Sequence, residues 1–130
     1  MSEYDTLVAA ARAARENAHA PYSNFRVGAA LRALSGRVYT GCNVENATYG
    51  LTICAERVAI FKAVSEGERG FDAIAVVAQT DKLTPPCGAC RQIIWEFCGD
   101  VEIILANLKG GVEVHRASGL LPDPFDASFL

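Results

Sequence analysis

Three cysteines and one glutamate carry the chemistry this sequence is equipped for. Cys54-Ala55-Glu56-Arg57 offers one thiol and one carboxylate, and Pro86-Cys87-Gly88-Ala89-Cys90 offers two more thiols. Three soft ligands without a fourth describe a catalytic zinc site, because a structural site closes its tetrahedron with protein. Cys54 and Glu56 stand two apart, and positions two apart do not share a face of a regular helix. A helix that starts at Cys54 resolves the conflict: at the cap the backbone is not yet helical, so thiol and carboxylate can reach one point. Cys87 and Cys90 are neighbours across a first helical turn. Pro86 suits the position just before or at a helix start, and Gly88 keeps side-chain bulk away from a metal. Three thiolates on a divalent ion leave excess negative charge. Two helix N-termini offset part of it, and Arg57 offsets more by hydrogen-bonding a thiolate. A C-x-x-C pair alone also reads as a redox motif or as half of a structural zinc site. Neither alternative accounts for Glu56.

The elements that must position these groups follow from periodicity. Leu7, Ala10, Ala11 and Ala14 recur at helical spacing, with Arg12, Arg15 and Glu16 between them, which predicts an amphipathic helix over Thr6–His19. His19 then reads as a cation in the last turn. Arg26–Leu34 and Arg37–Cys42 read as strands joined at Ser35-Gly36, an antiparallel hairpin. Asn43–Gly50 is a polar loop, a place for substrate contacts, although Asn43 and Asn46 taken singly are ordinary turn residues. Cys54–Glu66 is apolar on most faces and should be a largely buried helix, stopped by Gly67. Phe71–Gln79 and Val101–Asn107 are apolar runs suited to strands covered on both sides. Cys87–Cys98 is the second sulfur-bearing helix, with Trp95 and Phe97 as core or subunit contacts. Val112–Arg116 is a short strand after the Gly110-Gly111 turn, with His115 at the surface. The order predicts an α/β fold of three layers, α/β/α, around a mixed and roughly five-stranded sheet. The starts of both cysteine-bearing helices should converge at strand ends, where such sheets bind ligands.

Composition narrows the function class. At 130 residues, one domain over 1–130 is the simplest expectation. A net charge of −3 argues against a nucleic-acid surface, and no apolar run is long enough to span a membrane. The polar, acidic Met1–Asp5 does not read as a signal peptide. Five cysteines, three of them assigned to metal, fit a reducing cytoplasm better than a disulfide scaffold. Cys42 and Cys98 read as small buried hydrophobes. The Leu120–Phe125 tail is apolar and proline-rich, and such a tail docks on a partner surface more often than it floats.

C-A-E followed by P-C-x-x-C resembles the signature of the zinc deaminases, in which a His or Cys is the first ligand and the Glu moves protons without binding metal. The resemblance extends along most of the chain. Ala20-Pro21-Tyr22-Ser23-Asn24-Phe25-Arg26-Val27-Gly28 and Gly41-Cys42-Asn43-Val44-Glu45-Asn46-Ala47-Thr48-Tyr49 are similar to the N-terminal signature and ribose-binding loop of the small, homotetrameric cytidine deaminases. Leu120-Leu121-Pro122 with Phe125 resembles their C-terminal end. The resemblance implies zinc on Cys54, Cys87 and Cys90, with Glu56 as proton carrier and Arg57 paired with the thiolates. It implies ribose contacts from Asn43 and Glu45, and nucleoside contacts from Phe25 and Ala55. Tyr49 and Phe125 would reach a neighbouring subunit's site, Phe125 against the base. The activity implied is hydrolytic deamination of free cytidine and deoxycytidine in pyrimidine salvage, in the cytoplasm. Relatives with His in place of Cys54 are the larger dimeric and the polynucleotide deaminases. The blasticidin deaminases share the cysteine pattern but lack the Asn43-Val44-Glu45-Asn46 loop, and rank second.

Overall fold

Side-chain alternation decides the layers. The computed structural model describes residues 3–130. Its five strands are β1 (Val27–Ala33), β2 (Val38–Cys42), β3 (Phe71–Ala78), β4 (Glu102–Ala106) and β5 (Val112–Arg116), in the sheet order β2-β1-β3-β4-β5. Successive residues on a strand face opposite sides. Ala29, Leu31, Ile74, Val76, Ile103 and Leu105 enter one core, whereas Ala30, Ala73, Ala75, Val77, Ile104 and Ala106 enter another. Two apolar faces need helices on both sides. α1 (Asp5–Arg15) covers the second face with Leu7 and Ala11. α2 (Ala55–Ser65) and α3 (Gly88–Cys98) cover the first with Ala59, Ile60, Ala63 and Ile94, joined there by Ala117 of α4 (Ala117–Leu120). Only the β3–β4 pair is parallel, so the sheet is mixed, and the three-layer α/β/α expectation holds.

Two glycines set how closely the layers approach. A Cβ at Gly28 would lie 2.0 Å from the Ala11 carbonyl oxygen, and one at Gly41 would lie 2.6 Å from both Ala55 O and Ala59 N. Helix backbone therefore rests directly on strand backbone at both places. Gly41 is the contact that seats the first turn of α2.

Several expectations need correction. α1 ends at Arg15, not His19, because its last carbonyls are taken up by the tighter bonds Asn17 N to Ala14 O and Ala18 N to Arg15 O. His19 has left the helix: its N–H donates to Asn43 O and its carbonyl accepts from Glu45 N, a two-residue bridge to Val44. It is not a last-turn cation. Arg15, read as part of the polar face, is buried and donates to Gln79 Oε1 at 3.1 Å. α2 is less enclosed than expected, since Phe61 is exposed and meets Phe97 of α3 edge-on at 5.9 Å. Cys42 and Cys98 are half-buried rather than buried, although Cys98 packs against the main core. Within one copy the tail is also tied to α3. Gln92 Nε2 donates to Phe125 O, Trp95 Nε1 to Asp126 Oδ2, and Arg91 Nη1 to Leu120 O.

Candidate metal centre and active site

Both sulfur-bearing helices open on a capping cysteine. Cys54 caps α2 with φ −73° and ψ 153°, and Cys87 caps α3 with φ −65° and ψ 167°, both in extended backbone. The cap geometry that the Cys54–Glu56 spacing demands is therefore present. Cys90, three residues into α3, completes the group: the three Sγ atoms all lie within 4.8 Å of one another. A tetrahedral zinc with Zn–S of about 2.3 Å sets its sulfurs roughly 3.8 Å apart, so the cluster fits the ion. Among the described residues no histidine, aspartate or glutamate joins these three. His19 and His115 are elsewhere: His115 sits on edge strand β5, 3.0 Å from Glu113 Oε1.

Positive potential gathers on the sulfurs. Arg57 Nη2 donates to Cys54 Sγ at 3.2 Å, as its place in the first turn of α2 allows. Its Nε is buried without a partner among the described residues. The Cys54 thiol is shifted strongly toward thiolate, first by a hydrogen bond from Cys90 and then by Arg57, against the opposing cost of burial. Cys90, the donor in that pair, is correspondingly harder to ionise. A thiolate already favoured at Cys54 is suited to a divalent cation.

Glu56 is 5% exposed and sits one residue inside α2. Burial pushes its carboxyl up from 4.5 to about 7, helped by the neighbouring negative charge of Cys54. Such a group can both take and return a proton near neutrality.

A cavity of about 200 Å³ opens onto this group, lined by Phe25, Asn43, Cys54, Ala55, Glu56, Cys87, Thr84 and Pro85 among others. Phe25, Asn43 and Ala55 are thus brought beside the metal centre. Asn43 is buried, and its amide is largely committed to its own chain. Its Oδ1 accepts from Val27 N at 2.9 Å and its Nδ2 donates to Phe25 O at 2.7 Å, which fixes Phe25 at the cavity wall and leaves one amide hydrogen over. Glu45 and Tyr49 line a neighbouring groove of about 330 Å³ with Tyr22, Ser23 and Thr52. The Glu45 carboxylate accepts from the Ser23 hydroxyl and from the backbone N–H groups of Tyr22 and Ser23, and the Ser23 hydroxyl leads in lowering its pKa. Phe125 lines neither cavity. It is exposed and stacks on Phe129 with ring centres 5.7 Å apart.

Thr52 escaped the sequence reading, yet it lines both cavities. The signal was there: Thr52 and Cys54 are two apart in extended backbone, so they face the same side. Thr84 and Pro85 were also missed, and in the sequence they read only as a loop.

The wider comparisons agree with this geometry. Residues 1–106 match the family model of the cytidine and deoxycytidylate deaminase zinc-binding region. The chain is 53% identical over 129 residues to a cytidine deaminase of Sporosarcina psychrophila, covering 98% of this chain and 95% of that relative. It superposes on a crystal structure of cytidine deaminase from Burkholderia pseudomallei with a TM-score of 0.90 and 53% identity, over 96% of this chain and 100% of that one. A blasticidin-S deaminase of Bacillus cereus is more distant, 32% identical over 104 residues and covering 74% of each chain. The three-cysteine cluster lies within the residues matched by that zinc-binding region and is consistent with zinc, and the chain belongs to the cytidine deaminase family.

Proposed function

We propose that this chain is a zinc-dependent enzyme that hydrolyses free cytidine and deoxycytidine to uridine and deoxyuridine, releasing ammonia. The observation that carries the reading is a single cavity whose wall holds the buried Glu56 carboxyl beside the sulfurs of Cys54 and Cys87. Cys54, Cys87 and Cys90 would hold the zinc, which supplies Lewis-acid activation of water when bound.

The chain's own residues then divide the work. Glu56 takes the proton that water gives up and passes it to N3 of the base. Once the water oxygen has bonded to C4, Glu56 takes the remaining proton of that hydroxyl and delivers it to the amino group, so the C4–N bond breaks, ammonia departs and a C4 carbonyl remains. A carboxyl at about 7 can serve in both directions near neutral pH. Arg57 holds Cys54 as thiolate. Phe25 and Ala55 shape the wall against the base and sugar, and the spare Asn43 amide hydrogen faces a sugar hydroxyl. Glu45, already ionised by its Ser23 and Tyr22 contacts, accepts another hydroxyl and rejects molecules that lack one. Tyr49 and Phe125 are exposed, which is what residues lent to a neighbouring subunit's site require. The proposal is a cytoplasmic homotetramer with sites shared between copies. Among the described residues no helix is long and apolar enough to cross a membrane.

The test is metal analysis of the purified chain together with the ultraviolet change on adding cytidine, deoxycytidine or blasticidin S. One zinc per chain and faster conversion of the nucleosides is the expected result. Preference for the antibiotic would overturn the substrate assignment. Light scattering should return four copies of the 13.9 kDa chain.

A further inference from the structure

Arg91 belongs to the sulfur-bearing motif, yet the hydrogen bonds of its guanidinium go to backbone carbonyls. Its backbone N–H donates to Cys87 O at 2.9 Å, closing the first turn of α3. Its Nε donates to Pro86 O at 2.8 Å. One residue therefore holds the carbonyls on both sides of the Cys87 Cα. The guanidinium is itself anchored from behind, because Nη1 donates to Leu120 O at 2.7 Å. Leu120 ends α4, and the last carbonyls of a helix have no partner inside it, so a cation is well placed there. Pro86 is fully buried, which denies the carbonyl it shares with Arg91 an easy water substitute. Cys87, by contrast, is exposed and has little packing of its own to fix it.

We infer that Arg91 is a positioning residue for zinc: it ties the Cys87 turn to the C-terminal segment, so that retention of the metal depends on the Arg91–Leu120 link. The inference rests on zinc being held by the three cysteines. Lysine cannot replace this fork, since a point charge reaches one carbonyl where the planar guanidinium reaches two. The other tail contacts, Gln92 to Phe125 and Trp95 to Asp126, do not reach Pro86.

The experiment dilutes the zinc-loaded full-length protein into a chromophoric chelator and follows zinc release, beside the visible spectrum of the cobalt-substituted protein. Zinc content of the parent is measured first; a parent without zinc removes the metal assignment itself. With zinc present, Arg91→Gln should release it about 10–100-fold faster, the range seen when groups that orient metal ligands are removed, and should shift the cobalt bands. Arg91→Lys should fall between the two. Trp95→Phe, which removes a tail contact remote from Pro86, should release zinc at the parent rate with an unshifted spectrum. Release at the parent rate in Arg91→Gln overturns the inference, as does equal acceleration by Trp95→Phe. If Arg91→Gln does not fold, Arg91→Lys decides by the same two measurements.

Discussion

Cys54 and Cys87 cap their helices in the same extended backbone, yet the turns that follow differ in almost everything else. In α2 the turn is sealed: Ala55 and Glu56 are buried, and Arg57 points its guanidinium at the sulfur. In α3 the turn is open: Cys87, Gly88 and Ala89 are exposed, and Arg91 points back at carbonyls. A dry turn shifts a carboxyl toward neutrality and makes a nearby cation count for more. An open turn does neither, but it admits a ligand from solvent. The same cap thus brings a sulfur to the cluster from both helices, while only the covered turn of α2 adds a carboxyl poised near neutrality and only the turn of α3 stays open to solvent.

The sharpest way to break this division is Glu56→Gln. If Glu56 moves protons and is not a metal ligand, turnover of cytidine should fall about 10²–10⁴-fold while zinc content stays at the parent value. Loss of zinc alongside activity would mean that the Glu56 carboxylate also helps to hold the metal. Gly41→Ala tests the seat of the sealed turn. Its new Cβ would meet Ala55 O and Ala59 N at 2.6 Å, so α2 must lift off β2. Overpacking of this kind costs about 1–3 kcal/mol, read from the urea midpoint. A parent-like midpoint would show that the turn is placed by something other than that contact.

Much of this was legible in the residues. Spacing alone required Cys54 at a cap, and the alternating apolar residues of β1, β3 and β4 required two covered faces. What could not be read were features decided by distant partners. No residue type marks the end of α1 at Arg15; its last turn tightens through the Asn17 and Ala18 bonds, and beyond it His19 pairs with Val44, far along the sequence. Asn43 reads as a turn residue or a sugar contact, and its main partners, Phe25 O and Val27 N, become visible only once β1 and the end of β2 lie side by side. The apolar tail announced docking but not its partner, which for the described residues is α3. Glu45 and Tyr49 were grouped with Glu56 by resemblance, whereas within one copy they line a separate groove that shares Thr52 with the metal cavity.

The far end of α3 gives a smaller effect of known sign. Burial pushes the Cys98 thiol up from 9.0 to about 12. Between those values the unfolded chain has released its proton and the folded chain has kept it. The folded state then binds more protons, so stability falls as pH rises through that interval. Cys98→Ala should flatten this alkaline fall, measured as urea midpoints below and above pH 9. An unchanged slope would mean that the thiol ionises as readily folded as unfolded.

The smallest expected effect is at the opening of α3. A Cβ at Gly88 would meet nothing within 4 Å beyond its chain neighbours and its own helix backbone, and its φ lies outside the left-handed range. The protein itself therefore gives no reason for glycine, unlike Gly41. Alanine is the better helix former by at most about 1 kcal/mol, so the metal-free Gly88→Ala chain should match or slightly exceed the parent in urea. If the open turn exists to admit zinc and a ligand from solvent, the added methyl group intrudes only when the metal is present. The gain in midpoint on adding zinc should then be smaller in Gly88→Ala than in the parent. An equal gain would show that the glycine is not kept for the metal, and that the openness of α3 serves only the exposed sulfur of Cys87.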